Sequence, residues 1–246
     1  MEQWIHTPVE CQTSFDEKIE ELCTLHRSAI DLRGEGVMVY SVDEKTGIQA
    51  LEREVSDVKC GRSERHDHTY VRHGTQCLIA NLDIATGKIV SPTLGETRTE
   101  ADFLRHIKNT VSQHPDARCV FIMDQLNTHK SESLVRYIAD VCRITDDLGE
   151  KGKKGILKNM DTRAEFLSNK NNRIHIVYTP KHSSWLNQIE CWFGILVRRL
   201  LKRLVVKSTS DLKAKISAFI DYYNKTMAKP FRWMFKGFER SNSAII

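Results

Sequence analysis

The chain has 246 residues, of which 40% are hydrophobic and 28% charged, with a formal net charge of +5 and a pI near 8.8. This composition is typical of a soluble globular protein, and no apolar run approaches the about 20 residues that a membrane-spanning helix needs. The N-terminal residues lack a signal-peptide pattern, so we expect a cytoplasmic protein without a membrane partner. An α/β core of this size is ordinary, and no long break in composition argues for two domains.

The first half of the sequence predicts one helix followed by an antiparallel group of strands. Apolar residues at helical spacing predict a helix over 15–33, which Gly34 and Gly36 end. A tight turn is predicted at 86–88. Short apolar runs predict four strands, at 37–42, 48–54, 75–82 and around 89–90.

The second half alternates strands and helices. Residues 118–123 form a continuous apolar run of the kind found in strands that are buried on both faces, and 174–178 predict a last strand. Five helices are predicted, at 99–112, 131–143, 161–168, 184–204 and 209–225. The order of elements favours an α/β fold with one sheet.

The stretch 179–190 predicts a loop that turns into a helix. Pro180 and a serine pair precede a long apolar-periodic run, so Ser183 or Ser184 is the expected N-cap. Glu190 then lies about two turns into the helix, at the border of its apolar face. A carboxylate desolvated on one side needs a cation, a metal ion or hydrogen-bond donors as its partner.

Two predicted strands end on acids, Asp43 and Asp124, and strand ends are where an α/β sheet presents its site. Together with Glu190 these acids are hard oxygen ligands, which suit divalent cations. Two Mg²⁺ ions about 3.5 to 4 Å apart can catalyse phosphoryl transfer. Asp83 also ends an apolar run, but the following Thr-Gly favours a turn residue. Glu44 faces the opposite side of its strand from Asp43 and should not share its metal ions.

Histidines and cysteines give weaker signals. The seven cysteines include no Cys-x-x-Cys pair, and several lie in apolar runs, so we expect reduced, structural thiols. Three histidines lie between Cys60 and Cys77 without the tight paired spacing of a zinc site, so a polar loop is the favoured interpretation and zinc is not predicted.

Three blocks of sequence resemble the signature motifs of DDE transposases of the mariner-like superfamily, and the similarity is greatest to the bacterial insertion-sequence branch. It extends over about residues 35 to 225. Three motifs in this order, each with the expected strand or helix context, are a specific signal. The blocks are Ser-Val-Asp-Glu-Lys-Thr-Gly-Ile-Gln (41–49), Phe-Ile-Met-Asp-Gln-Leu-Asn-Thr-His (121–129) and Thr-Pro-Lys-His-Ser-Ser-Trp-Leu-Asn-Gln-Ile-Glu (179–190).

The resemblance implies a ribonuclease-H-like fold, which is a mixed five-stranded sheet with its first three strands antiparallel and helices around it. It also implies that Asp43, Asp124 and Glu190 are the catalytic, metal-binding triad for two Mg²⁺ (or Mn²⁺) ions. Such a protein hydrolyses the DNA strand at the element end and then joins the freed 3′-hydroxyl to target DNA. The implied partners are transposon ends and target DNA, with a homodimer pairing the two ends.

Further residues are assigned to supporting and DNA-binding roles. Clustered Lys and Arg side chains fit a phosphate backbone, although a solvated surface explains any single cluster equally well. The residues expected to support the site are Asn127, His129, His182 and Asn187. The residues expected to contact DNA are Lys151, Lys153, Lys154, Lys181, Arg198 and Arg199.

The sequence departs from the family pattern in two ways. Sixty-five residues lie between Asp124 and Glu190, more than the family's usual spacing, and we interpret 149–172 as a basic insertion. The residues before Asp43 are also too few for the helix-turn-helix region that reads terminal repeats. We therefore expect a catalytic half, with an N-terminal helical linker at 1–34, a catalytic domain at 35–230 and a tail at 231–246; a separate DNA-binding region would complete it.

Two other functions remain open at this level. A non-catalytic nucleic-acid-binding remnant of a decayed element would explain the missing DNA-reading region, and a ribonuclease-H-like nuclease would cut DNA without joining it. The intact triad favours a transposase that acts in the cytoplasm, at the nucleoid.

Overall fold

One mixed sheet carries the site, and the first three of its five strands are antiparallel. The computed structural model describes residues 12–55 and 66–235, with side chains in 15–52 and 70–235. The sheet order is β3-β2-β1-β4-β5, in which β1 pairs with β4, and β4 with β5, in parallel. The strands are β1 (Val37–Val55), β2 (His66–Asp83), β3 (Ile89–Gly95), β4 (Arg118–Met123) and β5 (Ile174–Tyr178). This topology confirms the expected ribonuclease-H-like fold.

β1 is one long strand, so the prediction of two strands at 37–42 and 48–54 is wrong. Residues 43–45 continue the pairing with β2, which resumes at Ile48 after a register shift that accommodates Gly47 at φ +66°. A β-bulge absorbs the residues that break the alternating pattern of the sequence. Asp43 therefore lies inside a paired strand and not at the end of one.

In the part of the chain that the structure describes, six helices cover the two faces of the sheet. Strand alternation sends Tyr40 and Phe121 to one face, against α2 and α3, and sends Val120 and Ile122 to the other, against α1. On that second face, Trp192 and Ile216 of α5 and α6 pack on β1 and β2. The helices are α1 (Gln12–Gly34), α2 (Glu100–Val111), α3 (Glu132–Val141), α4 (Met160–Leu167), α5 (Ile189–Arg199) and α6 (Thr209–Thr226).

The helix predicted over 184–204 is broken into three pieces, and this corrects its expected start at a serine cap. A single 3₁₀ turn spans Ser184–Leu186, α5 begins only at Ile189, and a second 3₁₀ turn spans Leu201–Arg203. Asn187 adopts an extended backbone (φ −92°, ψ 103°) between the first two pieces. Glu190 consequently lies in the first turn of α5 instead of two turns along a continuous helix.

The 149–172 segment packs against the core. Asn159 caps α4 by accepting hydrogen bonds from the N–H groups of Asp161 and Thr162, both at 2.9 Å. Leu157 and Leu167 are fully buried against the α2 and α3 side of the sheet. The segment is therefore an ordered part of this layer.

Both ends of the described chain also pack on the sheet layer. Ile19 and Leu22 of α1 are buried in the core, and the ring of Trp233 stacks on His26 with 4.1 Å between centroids. Within residues 12–55 and 66–235, no helix is long and apolar enough to cross a membrane.

Candidate active site

The pairing of β1 with β4 brings the first two acids side by side. The two strands run parallel, with Ser41 opposite Ile122. Two residues further along each strand stand Asp43 and Asp124, which therefore lie level with each other. Asp124 directly follows the last residue of β4, so the backbone leaves the sheet there and exposes 46% of its side chain.

The third acid arrives from the chain that follows β5. β5 pairs with β4, and the stretch after it crosses back over β1 before α5 begins. Glu190 is exposed in the first turn of α5, and its negative charge acts on Asp43. The parallel pairing and this crossover together bring Asp43, Asp124 and Glu190 into one acidic cluster.

Asn187 joins the start of α5 to β1. Its side chain is 1% exposed, and Nδ2 donates to the carbonyl of Val42 at 2.8 Å and to Oδ2 of Asp43 at 3.2 Å. The hydroxyl of Ser41 donates to Oδ1 of Asn187 and accepts from the N–H of Ile189 at 2.8 Å. These contacts use the backbone between the 3₁₀ turn and α5, which explains why the predicted helix is interrupted. They also hold one oxygen of Asp43.

His129 holds Asp124 from the opposite side of the sheet. The ring is 1% exposed, and Nδ1 donates to Oδ1 of Asp124 at 2.8 Å. Nε2 lies 3.6 Å from Oε1 of Glu44, whose side chain is 2% exposed and also accepts from Arg98 at 3.0 Å. Glu44 thus faces away from Asp43, as strand alternation requires, and it reaches Asp124 only through His129.

Burial and neighbouring charged groups shift the pKa values of two of the acids, Asp43 and Asp124. The pKa of Asp43 is raised to about 6, chiefly by burial and in smaller part by the negative charges of Asp124 and Glu190, while the N–H of Glu44 opposes the rise by donating to the carboxylate. Burial would also raise the pKa of Asp124, but the hydrogen bond and charge of His129 hold it below its ordinary value.

His129 shows the reciprocal effect. Burial would lower the pKa of His129, but its hydrogen bond to Asp124 and the nearby Glu44 carboxylate raise it to about 9. The ring is therefore a cation at neutral pH, and it balances part of the acidic cluster.

The donor set fits hard divalent cations. Three carboxylates supply only oxygen ligands, and the raised pKa of Asp43 reflects first its burial and then neighbouring negative charge that a cation would neutralise. Across the two described ranges, no group of three His, Cys, Asp or Glu side chains is already gathered closely enough to ligate one ion.

The remaining predicted supporting residues, and three of the predicted DNA contacts, are exposed. Asn127 begins a 3₁₀ turn, Asn127–Lys130, and is exposed. His182 is exposed, with φ at +59°. Lys181, Arg198 and Arg199 are exposed as a DNA-contacting role requires.

The lysines of the basic segment are paired with acids. Lys153 lies 2.6 Å from Glu150, whereas Lys151 and Lys154 lie 3.8 and 3.7 Å from Glu132 and Asp147. This pairing reduces the charge that the segment offers to DNA.

Three residues that contact the candidate site or its supporting side chains are not among those predicted from the sequence. Ser41 shares a face with Asp43 by period-two alternation, a signal that could have identified it. Glu44 was set aside as facing the wrong side, yet it contacts His129 and Arg98. No pattern in the sequence marks Arg98.

The structure also describes the alternative acid, Asp83, and one residue of the histidine group, His73. Asp83 is the last residue of β2 and begins the turn that follows, since its carboxylate accepts from the N–H of Ala85 at 3.0 Å and pairs with Arg33. Cys60 and the side chains of His66 and His68 lie outside the described residues, and His73 lies 2.8 Å from Glu52.

Comparison with known proteins gives one family and one set of similar folds. The profile of the family described as DDE superfamily endonuclease matches residues 38–213. The Mos1 mariner paired-end complex with Mn is 15% identical at a TM-score of 0.51, covering 90% of this chain and 59% of that chain. The Mos1 paired-end complex with the left transposon end is 14% identical at 0.49, with the same coverage.

The Mos1 mariner catalytic domain is 13% identical at a TM-score of 0.47, over 89% of this chain and 85% of that chain. No curated protein matches the sequence. The chain spans about three fifths of the two paired-end proteins, and the likeness to the first establishes a shared fold.

Proposed function

Because the chain belongs to the DDE superfamily of endonucleases, we propose that it is the catalytic domain of a transposase that cuts and joins DNA strands. The observation that carries the proposal is the acidic cluster of Asp43, Asp124 and Glu190, in which burial and like charges raise the pKa of Asp43 to about 6. The finer assignment to the bacterial insertion-sequence branch rests on the three sequence blocks.

Asp43, Asp124 and Glu190 are the residues that would hold two Mg²⁺ or Mn²⁺ ions. When bound, such ions supply charge that activates the attacking oxygen and stabilises the leaving oxygen. Asn187 fixes one oxygen of Asp43 through its Nδ2. His129 orients Asp124 and, as a cation, keeps that carboxylate ionised.

The proposed reaction has two steps that conserve atoms. In the first, a water oxygen attacks the phosphorus at the element end, the bond to the 3′ oxygen breaks, and that oxygen takes a proton. In the second, the freed 3′-hydroxyl loses its proton and attacks a phosphodiester of the target. The bond from that phosphorus to the target's own 3′ oxygen breaks and this oxygen takes a proton, so that one phosphodiester replaces another. No redox group or external energy source is required, which agrees with a site built from carboxylates.

DNA is the proposed partner, held by two copies of the protein. The similar Mos1 structure is a paired-end complex with Mn, and by analogy we propose a homodimer that pairs two transposon ends. Exposed Lys181, Arg198 and Arg199 are the proposed backbone contacts. A separate region that reads the terminal repeats belongs to the same proposal.

Strand joining tests this function. A labelled duplex with the repeat sequence that flanks the gene and a free 3′-hydroxyl is incubated with a plasmid, the protein and Mn²⁺. We expect labelled plasmid, and none with Asp124→Asn. Plasmid that is nicked but never labelled would identify a nuclease without strand transfer. Folded protein that neither cuts nor joins would identify a non-catalytic remnant.

A further inference from the structure

Arg98 is an exposed cation beside the acidic cluster, and it comes from an element that carries none of the three acids. It lies in the connection between β3 and α2, one residue before Thr99, the N-cap of α2. Half of its side chain, 50%, is exposed. Arg98 contacts Glu44, which lies beside His129, and His129 contacts Asp124. The guanidinium therefore stands at the edge of the candidate active site.

A buried carboxylate holds this guanidinium in place. Nη1 of Arg98 donates to Oε2 of Glu44 at 3.0 Å, and the other oxygen of Glu44 lies 3.6 Å from His129. Because His129 in turn donates to Asp124, only two side chains, those of Glu44 and His129, stand between Arg98 and an acid of the cluster. Within the described ranges Glu44 is the one hydrogen-bond acceptor that Arg98 uses, which leaves most of its five N–H donors facing solvent.

Stability alone does not account for this pair. An exposed Arg contributes little through an ion pair, and burying a carboxylate to meet it is costly. What the contact does achieve is a fixed direction for a planar group whose geometry matches a phosphate. The sign of the charge also suits DNA, because three acids without such cations would repel the strand that they must cut.

We propose that Arg98 binds a backbone phosphate of the DNA strand that lies across the acidic cluster, with Glu44 holding the guanidinium toward it. This inference rests on the proposed function, because it takes DNA as the substrate. It adds a phosphate contact on the side of the site formed by the β3–α2 connection, where the sequence analysis predicted no DNA-contacting residue. Lys181 is the proposed contact on the far side, after β5.

Arg105 offers a matched control. It is similarly exposed, at 57%, and also pairs with a carboxylate, that of Asp102 at 2.7 Å. That carboxylate belongs to the capping box of α2 and not to the contacts around Asp124. Arg105→Gln therefore removes the same charge without touching the candidate site.

Salt dependence of DNA binding tests the proposal. Anisotropy of a labelled 20-base-pair duplex is measured in EDTA over a range of KCl concentrations for the wild type, Arg98→Gln, Arg98→Lys and Arg105→Gln. Each lost phosphate contact should reduce the slope of log K against log salt by about 0.9. Among these four proteins, we expect this reduced slope, together with weaker binding, only for Arg98→Gln. Arg98→Lys should keep the slope and bind less tightly, because an ammonium lacks the planar fork.

Unpaired Glu44 could unfold the single variant, so Arg98→Gln is also combined with Glu44→Gln, which leaves a neutral pair. The double variant should show the same reduced slope, whereas Glu44→Gln alone keeps the arginine and should retain the wild-type slope. A wild-type slope in folded Arg98→Gln or in the double variant would overturn the assignment, as would an equal loss in Arg105→Gln. A wild type that binds no DNA would instead contradict the proposed function.

Discussion

Asn187 is the residue that connects the acidic cluster to the fold most directly. It is buried, its Nδ2 donates to Val42 and Asp43, and its Oδ1 accepts from Ser41. No aliphatic side chain could replace these contacts, because each leaves a buried polar group behind. The motif that contains Asn187 therefore has a structural role, because it fixes the start of α5 against β1.

Replacing Asn187 by Ala should weaken both the fold and the activity. The unsatisfied carbonyl of Val42 and hydroxyl of Ser41 should lower the free energy of unfolding by about 1–3 kcal/mol. Loss of the support to Asp43 should slow metal-dependent DNA cleavage by about 10–100-fold. Urea unfolding and a nicking assay measure the two effects.

Asn171→Ala is the control for this prediction, since Asn171 is exposed, and it should behave like the wild type. Wild-type cleavage by folded Asn187→Ala would show that the side chain serves the fold alone.

The proximity of several candidate site residues was predictable where a motif specified them. The acids, His129 and Asn187 all stand in the three sequence blocks, and the structure brings these five together. The position of Arg98 beside the site was not predictable. It depends on how the β3–α2 connection packs against β1, and no local sequence pattern indicates that packing. The role of Glu44 depends in the same way on His129, which follows a different strand.

The start of α5 shows how tertiary contacts override a helical pattern. The apolar periodicity of 184–204 is real, since Leu186, Ile189, Trp192 and Leu196 are all buried. The hydrogen bonds of Asn187 to β1 nevertheless require an extended residue in the middle of it. Sequence periodicity reports which side chains are buried, but not where the backbone must leave the helix to meet a neighbouring strand.

The turn between β2 and β3 is fixed by the chain that follows α6. Gly87 has φ at +70°, and a Cβ there would lie 1.9 Å from the carbonyl oxygen of Lys229. Asn224 adds two hydrogen bonds to the backbone of Ile89, both at 2.8 Å. This turn therefore requires glycine for space as well as for conformation.

Gly87→Ala should destabilise the protein more than Gly47→Ala. Gly47 has a similar φ of +66° with nothing within 4 Å of its Cβ position, so its substitution should cost only the backbone strain, about 1–2 kcal/mol. Gly87→Ala adds a clash with the backbone of Lys229 and should cost clearly more. Thermal unfolding of the two variants compares them, and equal losses would show that the contact with Lys229 yields without cost.

His26 links α1 to the 3₁₀ turn before α5 and should make the protein sensitive to acid. Its Nε2 donates to the carbonyl of Leu186 at 2.9 Å, and burial lowers its pKa from 6.5 to about 4. Between these values the unfolded chain binds a proton that the folded protein does not. Stability should therefore fall as the pH drops through this window, by at most about 1.4 kcal/mol per pH unit for this group.

His26→Phe keeps a ring against Trp233 and removes this proton. Its stability should fall less steeply than that of the wild type between pH 6.5 and 4, at the cost of one hydrogen bond at neutral pH. Chemical unfolding at several pH values gives both slopes, and identical slopes would contradict the assignment.

For the molecule as a whole, the sequence predicted the sheet, its antiparallel start and the order of the elements. It did not predict that β1 runs unbroken from Val37 to Val55, because a bulge lets paired strands pass residues that look like a turn. The compact packing of 149–172 was also hidden, since Leu157 and Leu167 meet partners that are distant in sequence.

Without metal ions the acidic cluster should destabilise the folded protein at neutral pH, and bound divalent cations should turn this into a stabilising contribution. The raised pKa of Asp43 means that its stabilising contribution is present below pH 3.8 and lost as the pH rises through about 6. In EDTA at pH 7.5, Asp43→Asn should therefore be more stable than the wild type. With Mn²⁺ at 100 times its dissociation constant, the wild type should gain about 2.7 kcal/mol, and the variant should gain far less.

Melting temperatures of the wild type and Asp43→Asn, measured with Mn²⁺ and with EDTA, check these two expectations. The gain of the wild type should fade as the pH drops below about 6, where protons compete for Asp43. Equal gains from Mn²⁺ in both proteins would place the metal elsewhere.

The central claim is that Asp43, Asp124 and Glu190 form one metal-dependent centre for cutting DNA, and nicking of supercoiled plasmid in Mg²⁺ tests it most directly. The wild type is compared with Asp43→Asn, Asp124→Asn and Glu190→Gln, and with Asp221→Asn on the exposed side of α6. We expect nicking by the wild type and Asp221→Asn that EDTA abolishes, and a loss of about 100-fold or more in each triad variant. Nicking at the wild-type rate by any folded triad variant would contradict the account.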